Sequence, residues 1–99
     1  MIVDIWAETF WTVLNVKKKT LFDYQGLYRR HLQPVIGQME LNDVPPVEIQ
    51  KVLLGLTPQT AKHTLMVLKS MYREANLYKV SNTNPTVGLK TTPIRFQPK

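Results

Sequence analysis

Between residues 58 and 76, apolar side chains return at helical spacing, with Ala61, Leu65, Leu68, Tyr72 and Ala75 in one row. A period of 3.6 residues is the regular geometry that gathers them on one side. At about 100° per residue, Lys62, Lys69 and Arg73 fall within an arc of roughly 40°, nearly a quarter turn from that row. The rest of the chain must therefore supply a core for one side of a long helix while a cationic side stays open. Thr57 followed by Pro58 marks the start, with the hydroxyl as N-cap and the proline where an amide needs no partner. A charge stripe alone also suits simple solvation of an exposed face, so its meaning depends on what surrounds it.

Three shorter helices are expected before it. Residues 4–14 repeat Ile5, Trp6, Phe10, Val13 and Leu14 at helical spacing, with Asp4 placed to cap the start. Residues 15–19 read as a basic linker, and Thr20 followed by Asp23 resembles a capping box opening a second helix. That helix is expected to end near Leu32, because Pro34 forbids continuation. Tyr24, Tyr28, Leu21, Leu32 and His31 share its core side, while Asp23, Arg29 and Arg30 point elsewhere. Residues 34–42 read as a loop in which Gly37 allows a sharp turn. Pro45 and Pro46 then fix the first turn of a third helix ending near Gly55, with Ile49, Val52 and Leu53 buried. Asn, Thr, Pro and Gly dominate from Ser81 onward, and residues 90–99 read as an extended tail or interdomain linker. The pattern predicts a compact all-α bundle of four helices, with no sheet.

Ninety-nine residues support one modest core. Thirteen Lys and Arg against seven Asp and Glu give a net charge of +6, which directs the chain toward a polyanion, either nucleic acid or an anionic membrane surface. The absence of cysteine excludes a disulfide framework and thiolate metal sites. No apolar run approaches the roughly 18 residues of a transmembrane helix. Asp4 and Glu8 interrupt the stretch where a signal peptide needs an apolar core. A soluble, intracellular protein is expected.

Two segments carry the candidate chemistry. Lys17, Lys18, Lys19 and Thr20 stand at a helix start, where free amides and the dipole also favour an anion. The first turns of the long helix present Gln59, Thr60, Lys62 and His63, groups that reach base edges or phosphates in a major groove. Met66, on the same side, is placed to touch a thymine methyl. Plain solvation of the first turn accounts equally for Gln59. His31, beside two tyrosines, reads as a structural histidine, and two histidines on separate elements make no metal site. Trp6, Phe10 and Trp11 read as packing aromatics. Phe22 falls off the core side of its helix, to seal against the first helix or meet another domain. No Gly-rich phosphate loop, metal-binding histidine pair, serine elbow or catalytic carboxylate pair is present, so neither catalysis nor a cofactor is expected of this chain alone.

Several spaced residues carry a family pattern. Lys19, Thr20 and Tyr24 match a basic linker and the start of a second helix. His31, Leu32, Pro34, Ile36 and Gly37 match the segment where that helix ends. Leu41, Asp43, Val44, Pro46 and Ile49 match the start of a third helix. Arg73, Glu74 and Ala75, then Asn84 and Pro85, match the end of a fourth helix and the exit from the domain. In this order and spacing the chain resembles the core-binding domain of tyrosine recombinases, the phage integrase family.

The resemblance implies a SAM-like bundle over residues 1–89 and a linker over 90–99 leading to a C-terminal catalytic domain, the two domains clamping a recombination site. It implies double-stranded DNA, that catalytic domain and other recombinase protomers as partners, with no membrane. The cytoplasm is the implied location, with nucleoid association when DNA is bound. Because the second and fourth helices of such domains approach the major groove, it singles out Lys17, Lys18, Lys19 and Thr20, then Thr60, Lys62 and His63. Lys69 and Arg73 follow as phosphate contacts. The family's tyrosine nucleophile and its Arg, Lys and HxxR set belong to the following domain. Here His31 and His63 are followed three residues later by Pro34 and Met66, so no catalytic residue is assigned. The family's usual glycine near Lys79 is missing, and Pro45 stands where a capping Ser or Thr is more usual. The alternative is a helical protein-interaction module, with a basic face for an acidic partner and Trp6 or Trp11 as anchor.

Overall fold

In the computed structural model, which describes residues 1–89, each long apolar period becomes a helix. The element order is α1 (Val3–Val13), α2 (Lys18–Leu27), a π-helical turn (Tyr28–Leu32), α3 (Gln33–Ile36), a 3₁₀ turn (Leu41–Asp43), α4 (Pro46–Leu54) and α5 (Pro58–Leu77). α2, the π turn and α3 follow without a break, so four helical rods make an all-α bundle. Extended pairing among the described residues is a single antiparallel bridge between Ile2 and Glu40. The expected tail and linker over 90–99 lie outside the described residues.

The core forms where these rods meet. α1 contributes Trp6, Phe10 and Trp11, the π turn Tyr28 and Leu32, α4 Ile49 and Leu53, and α5 Leu68, Met71 and Tyr72. The aromatics run in a chain with ring centroids 6.2 Å apart for Trp6 and Phe10, 5.1 Å for Phe10 and Trp11, and 5.8 Å for Trp11 and Tyr28. The polar handles of Trp6 and Tyr72 are both satisfied, as burial demands. Trp6 Nε1 donates to the Met71 carbonyl at 3.0 Å, and the Tyr72 hydroxyl donates to the Leu41 carbonyl at 2.7 Å. Burial raises the Tyr72 phenol well above its ordinary value. Ile5, in the expected apolar row of α1, is 55% exposed on the outer side of that helix.

Pro34 does not end the second helix. The π turn absorbs it: the Gln33 amide reaches back to the Tyr28 carbonyl, and Pro34 occupies an early position of α3, where a missing amide is tolerated. Gly37 does sit in a tight turn, closed by Met39 N donating to the Ile36 carbonyl at 3.0 Å, but its φ of −57° and ψ of −34° suit any residue. Space is what it provides. A Cβ there would stand 2.7 Å from the Gln33 carbonyl oxygen and 2.8 Å from Asp4 Oδ1.

Asp4 is not the cap of α1. Ile2 holds that position, and the first amides are met by main chain, Val3 N donating to the Met39 carbonyl at 2.9 Å and Asp4 N to the Gly37 carbonyl at 3.0 Å. The Asp4 carboxylate instead accepts from the Tyr28 hydroxyl, from Gln33 Nε2 at 3.1 Å and from Gln38 Nε2 at 3.2 Å. Burial, then this bond to Asp4, raises the Tyr28 phenol far above its usual range. Thr20 likewise does not open α2, which starts at Lys18 with Lys17 in the cap position and no side-chain cap bond.

Thr57 does cap α5, accepting from the Thr60 amide. At the other end Lys79 takes the left-handed position that glycine favours, with φ of 60°. Val80 N donates to the Ala75 carbonyl at 2.8 Å and Lys79 N to the Asn76 carbonyl at 3.1 Å, the paired bonds of a Schellman ending. Two stability outcomes follow in chemical denaturation. Gly37→Ala lowers stability by about 2 kcal/mol, because main chain or Asp4 must shift. Lys79→Gly raises it by about 1 kcal/mol through relief of the left-handed penalty.

Candidate nucleic-acid interface

The basic stripe depends on how much of α5 is buried. Thr64, Val67 and Met71 join Ala61, Leu65, Leu68, Tyr72 and Ala75 in the core, a broader row than the sequence pattern defines. Its centre moves round the helix until Lys62, Met66, Lys69 and Arg73 lie on the far side, all exposed. Lys62 and Lys69 make no ion pair with a described residue. Arg73 Nε stands 3.7 Å from Glu74 Oε2 with its side chain 69% exposed, a weak pair that leaves the guanidinium free to meet an anion.

The expected site residues fall into three neighbourhoods. Thr20 of α2 and His63 and Met66 of α5 line one cleft of about 210 Å³, which brings the start of α2 beside the first turns of α5. Lys18 and Lys19 flank Thr20 inside the first turn of α2, and Lys17 precedes them, all exposed. Gln59 lies beside His63, its Nε2 3.3 Å from the His63 Nε2. Thr60 is turned elsewhere: it is half-buried, and its hydroxyl accepts from Thr57 at 3.0 Å within the cap. Lys69 and Arg73, further along α5, border a separate cleft of about 350 Å³ with Asn84, Thr86 and Gly88.

The start of α2 has no acidic residue in its first turn, while Lys18 and Lys19 sit there. Cations at that end oppose the helix dipole, and an anion placed among them relieves both the charge and the free amides. Among the described residues no group of His, Cys, Asp or Glu could hold a metal ion, and no helix is long and apolar enough to cross a membrane.

The sequence pattern leaves Arg29, Arg30 and Phe22 outside this interface. In the structure they line a cleft of about 360 Å³ together with Asp23, Gly26 and His63, at the same α2–α5 seam. Regular helical phase separates two adjacent arginines by about 100°, and no residue pattern announces the π turn that carries them. Pro34, just downstream, is the one local signal of a disturbed hydrogen-bond ladder.

Residues 2–57 match the model of the phage integrase N-terminal SAM-like domain, which places the chain in that family. The matched segment runs from the start of α1 through α4 and ends at the Thr57 cap of α5. Neither a curated protein nor a solved structure matches the chain.

Lys18→Glu places a carboxylate in the first turn of α2 and raises stability by a few tenths of a kcal/mol. Thermal melts at low salt detect the gain, and molar salt abolishes it.

Proposed function

We propose that this chain is the duplex DNA-binding domain of a site-specific tyrosine recombinase, positioning the recombination site for a catalytic domain carried elsewhere in the parent protein. The observation that carries the proposal is the row of Lys62, Lys69 and Arg73 on the side of α5 turned away from the core, without a strong internal counter-charge. Membership of the phage integrase N-terminal family supports the same reading.

Within it, Lys17, Lys18, Lys19 and Thr20 meet phosphates at the start of α2. Lys62, Lys69 and Arg73 meet phosphates along α5. Gln59 and His63 face the base edges, and Thr60 holds the cap that orients them. The domain performs no chemistry. Other recombinase protomers and the catalytic domain of the same protein are its expected partners, each holding another part of the site.

The interaction-module alternative loses its anchors, since Trp6 is 1% and Trp11 9% exposed within the core. Neither ring is free to enter a partner's pocket.

Nonspecific duplex affinity is expected in the range of roughly 10⁻⁴ to 10⁻⁶ M at physiological salt. The double variant Lys62→Glu/Lys69→Glu weakens binding about ten-fold on every duplex and lowers the log–log salt slope by about 2. Fluorescence anisotropy at several salt concentrations measures both, and an unchanged isotherm and slope for the variant would remove α5 from the interface.

A further inference from the structure

The cleft lined by Phe22, Asp23, Gly26, Arg29, Arg30 and His63 lies at the α2–α5 seam, and of these residues only His63 was among the expected contacts. Three features of its walls bear on what it can hold. Phe22 is 75% exposed, whereas Tyr24 of the same helix is half-buried and Tyr28 of the π turn is buried. Its ring offers apolar area that a partner placed in the cleft can cover.

Gly26 is the second feature. A glycine inside a helix is worth about 1 kcal/mol less than alanine, and here neither main chain nor core demands it. Beyond its own helix's backbone, the heavy atom nearest its missing Cβ is the Arg30 Nη2, at 3.3 Å. The glycine therefore lets the Arg30 guanidinium lie against the surface of α2 at Gly26.

The third is the π turn. Arg29 and Arg30 are consecutive, yet both reach the same cleft from Tyr28–Leu32, and single π turns inside α-helices gather at functional sites. Neither arginine forms an ion pair with a described residue, although Asp23 shares the cleft. Two unpaired guanidinium groups beside an open aromatic ring suit an anion attached to an apolar body.

We propose that Phe22, Arg29 and Arg30 form a strand-binding cleft, the two guanidinium groups neutralising backbone phosphates of duplex DNA and the Phe22 ring resting against an adjoining deoxyribose. Arginine forks fit phosphate oxygens in geometry as well as charge. Sequence-neutral contacts of this kind fix register on the duplex. The cleft shares Asp23, Leu27 and His63 with the one that holds Thr20 and Met66, so it continues the α5 surface across the seam onto α2. Asp23 faces the same space and opposes the bound phosphate. This inference rests on the DNA-binding reading above.

The test titrates a labelled duplex with the full chain, comparing wild type, Arg29→Ala/Arg30→Ala, Phe22→Ala and Asp23→Asn at several salt concentrations. All four side chains are exposed, and thermal melts establish that each variant folds. The double arginine variant is expected to bind about ten-fold more weakly with a salt slope lower by about 2. Phe22→Ala weakens binding at an unchanged slope, and Asp23→Asn tightens it. Wild-type affinity and slope in the arginine variant, with Lys62→Glu/Lys69→Glu still weakened, overturn the cleft and leave the DNA-binding reading in place. The cleft would then fit an acidic protein segment. A wild-type chain that binds no duplex overturns both.

Discussion

The carboxylate of Asp4 is the fixed point of this bundle. It stands in the first turn of α1 and takes hydrogen bonds from three places in the second rod and the loop beyond it: Tyr28 in the π turn, Gln33 in α3 and Gln38. Of the three donors Tyr28 is buried, so rotating either rod leaves its hydroxyl unpaired, which fixes the angle between the two helices. Gly37 completes the joint by yielding the volume a side chain would need. The π turn is held in register by the same bonds. With Tyr28 drawn inward to Asp4, the next two residues, Arg29 and Arg30, are left facing outward over α2.

Much of the architecture was legible in the amino-acid order. The four helical rods, the Thr57 cap and the inward aromatics of α1 follow from 3.6-residue spacing and cap chemistry, which are local properties. The departures share one cause. Asp4 and Thr20 look like caps because their own neighbourhoods invite it, yet Ile2 and Lys17 take those positions. Main-chain carbonyls of Gly37 and Met39 already satisfy the amides of α1 and leave the Asp4 side chain to long-range partners. Pro34 looks like a stop because its missing amide is a local fact, whereas the π turn that accommodates it is held by tertiary contacts to Asp4.

The basic surface proposed as the interface was legible to a similar depth. The stripe on α5 was visible because charge and apolar periodicity lie on one helix. What escaped was the breadth of the buried row: Val67 and Met71 enter the core because the neighbouring rods wrap more of α5 than a narrow amphipathic pattern requires. Arg29, Arg30 and Phe22 escaped for another reason. Their proximity to His63 is set by the crossing of α2 and α5, a relation between segments some forty residues apart.

One consequence follows from the division of labour along α5. Its inner half locks into the bundle through Val67, Leu68, Met71 and Tyr72, while its outer half touches little of the protein itself. Replacements on the outside therefore escape the packing penalties that police the inside. A lineage carrying this scaffold is free to exchange Gln59, Lys62, Met66 or Lys69 in succession, with the folded frame inherited unchanged.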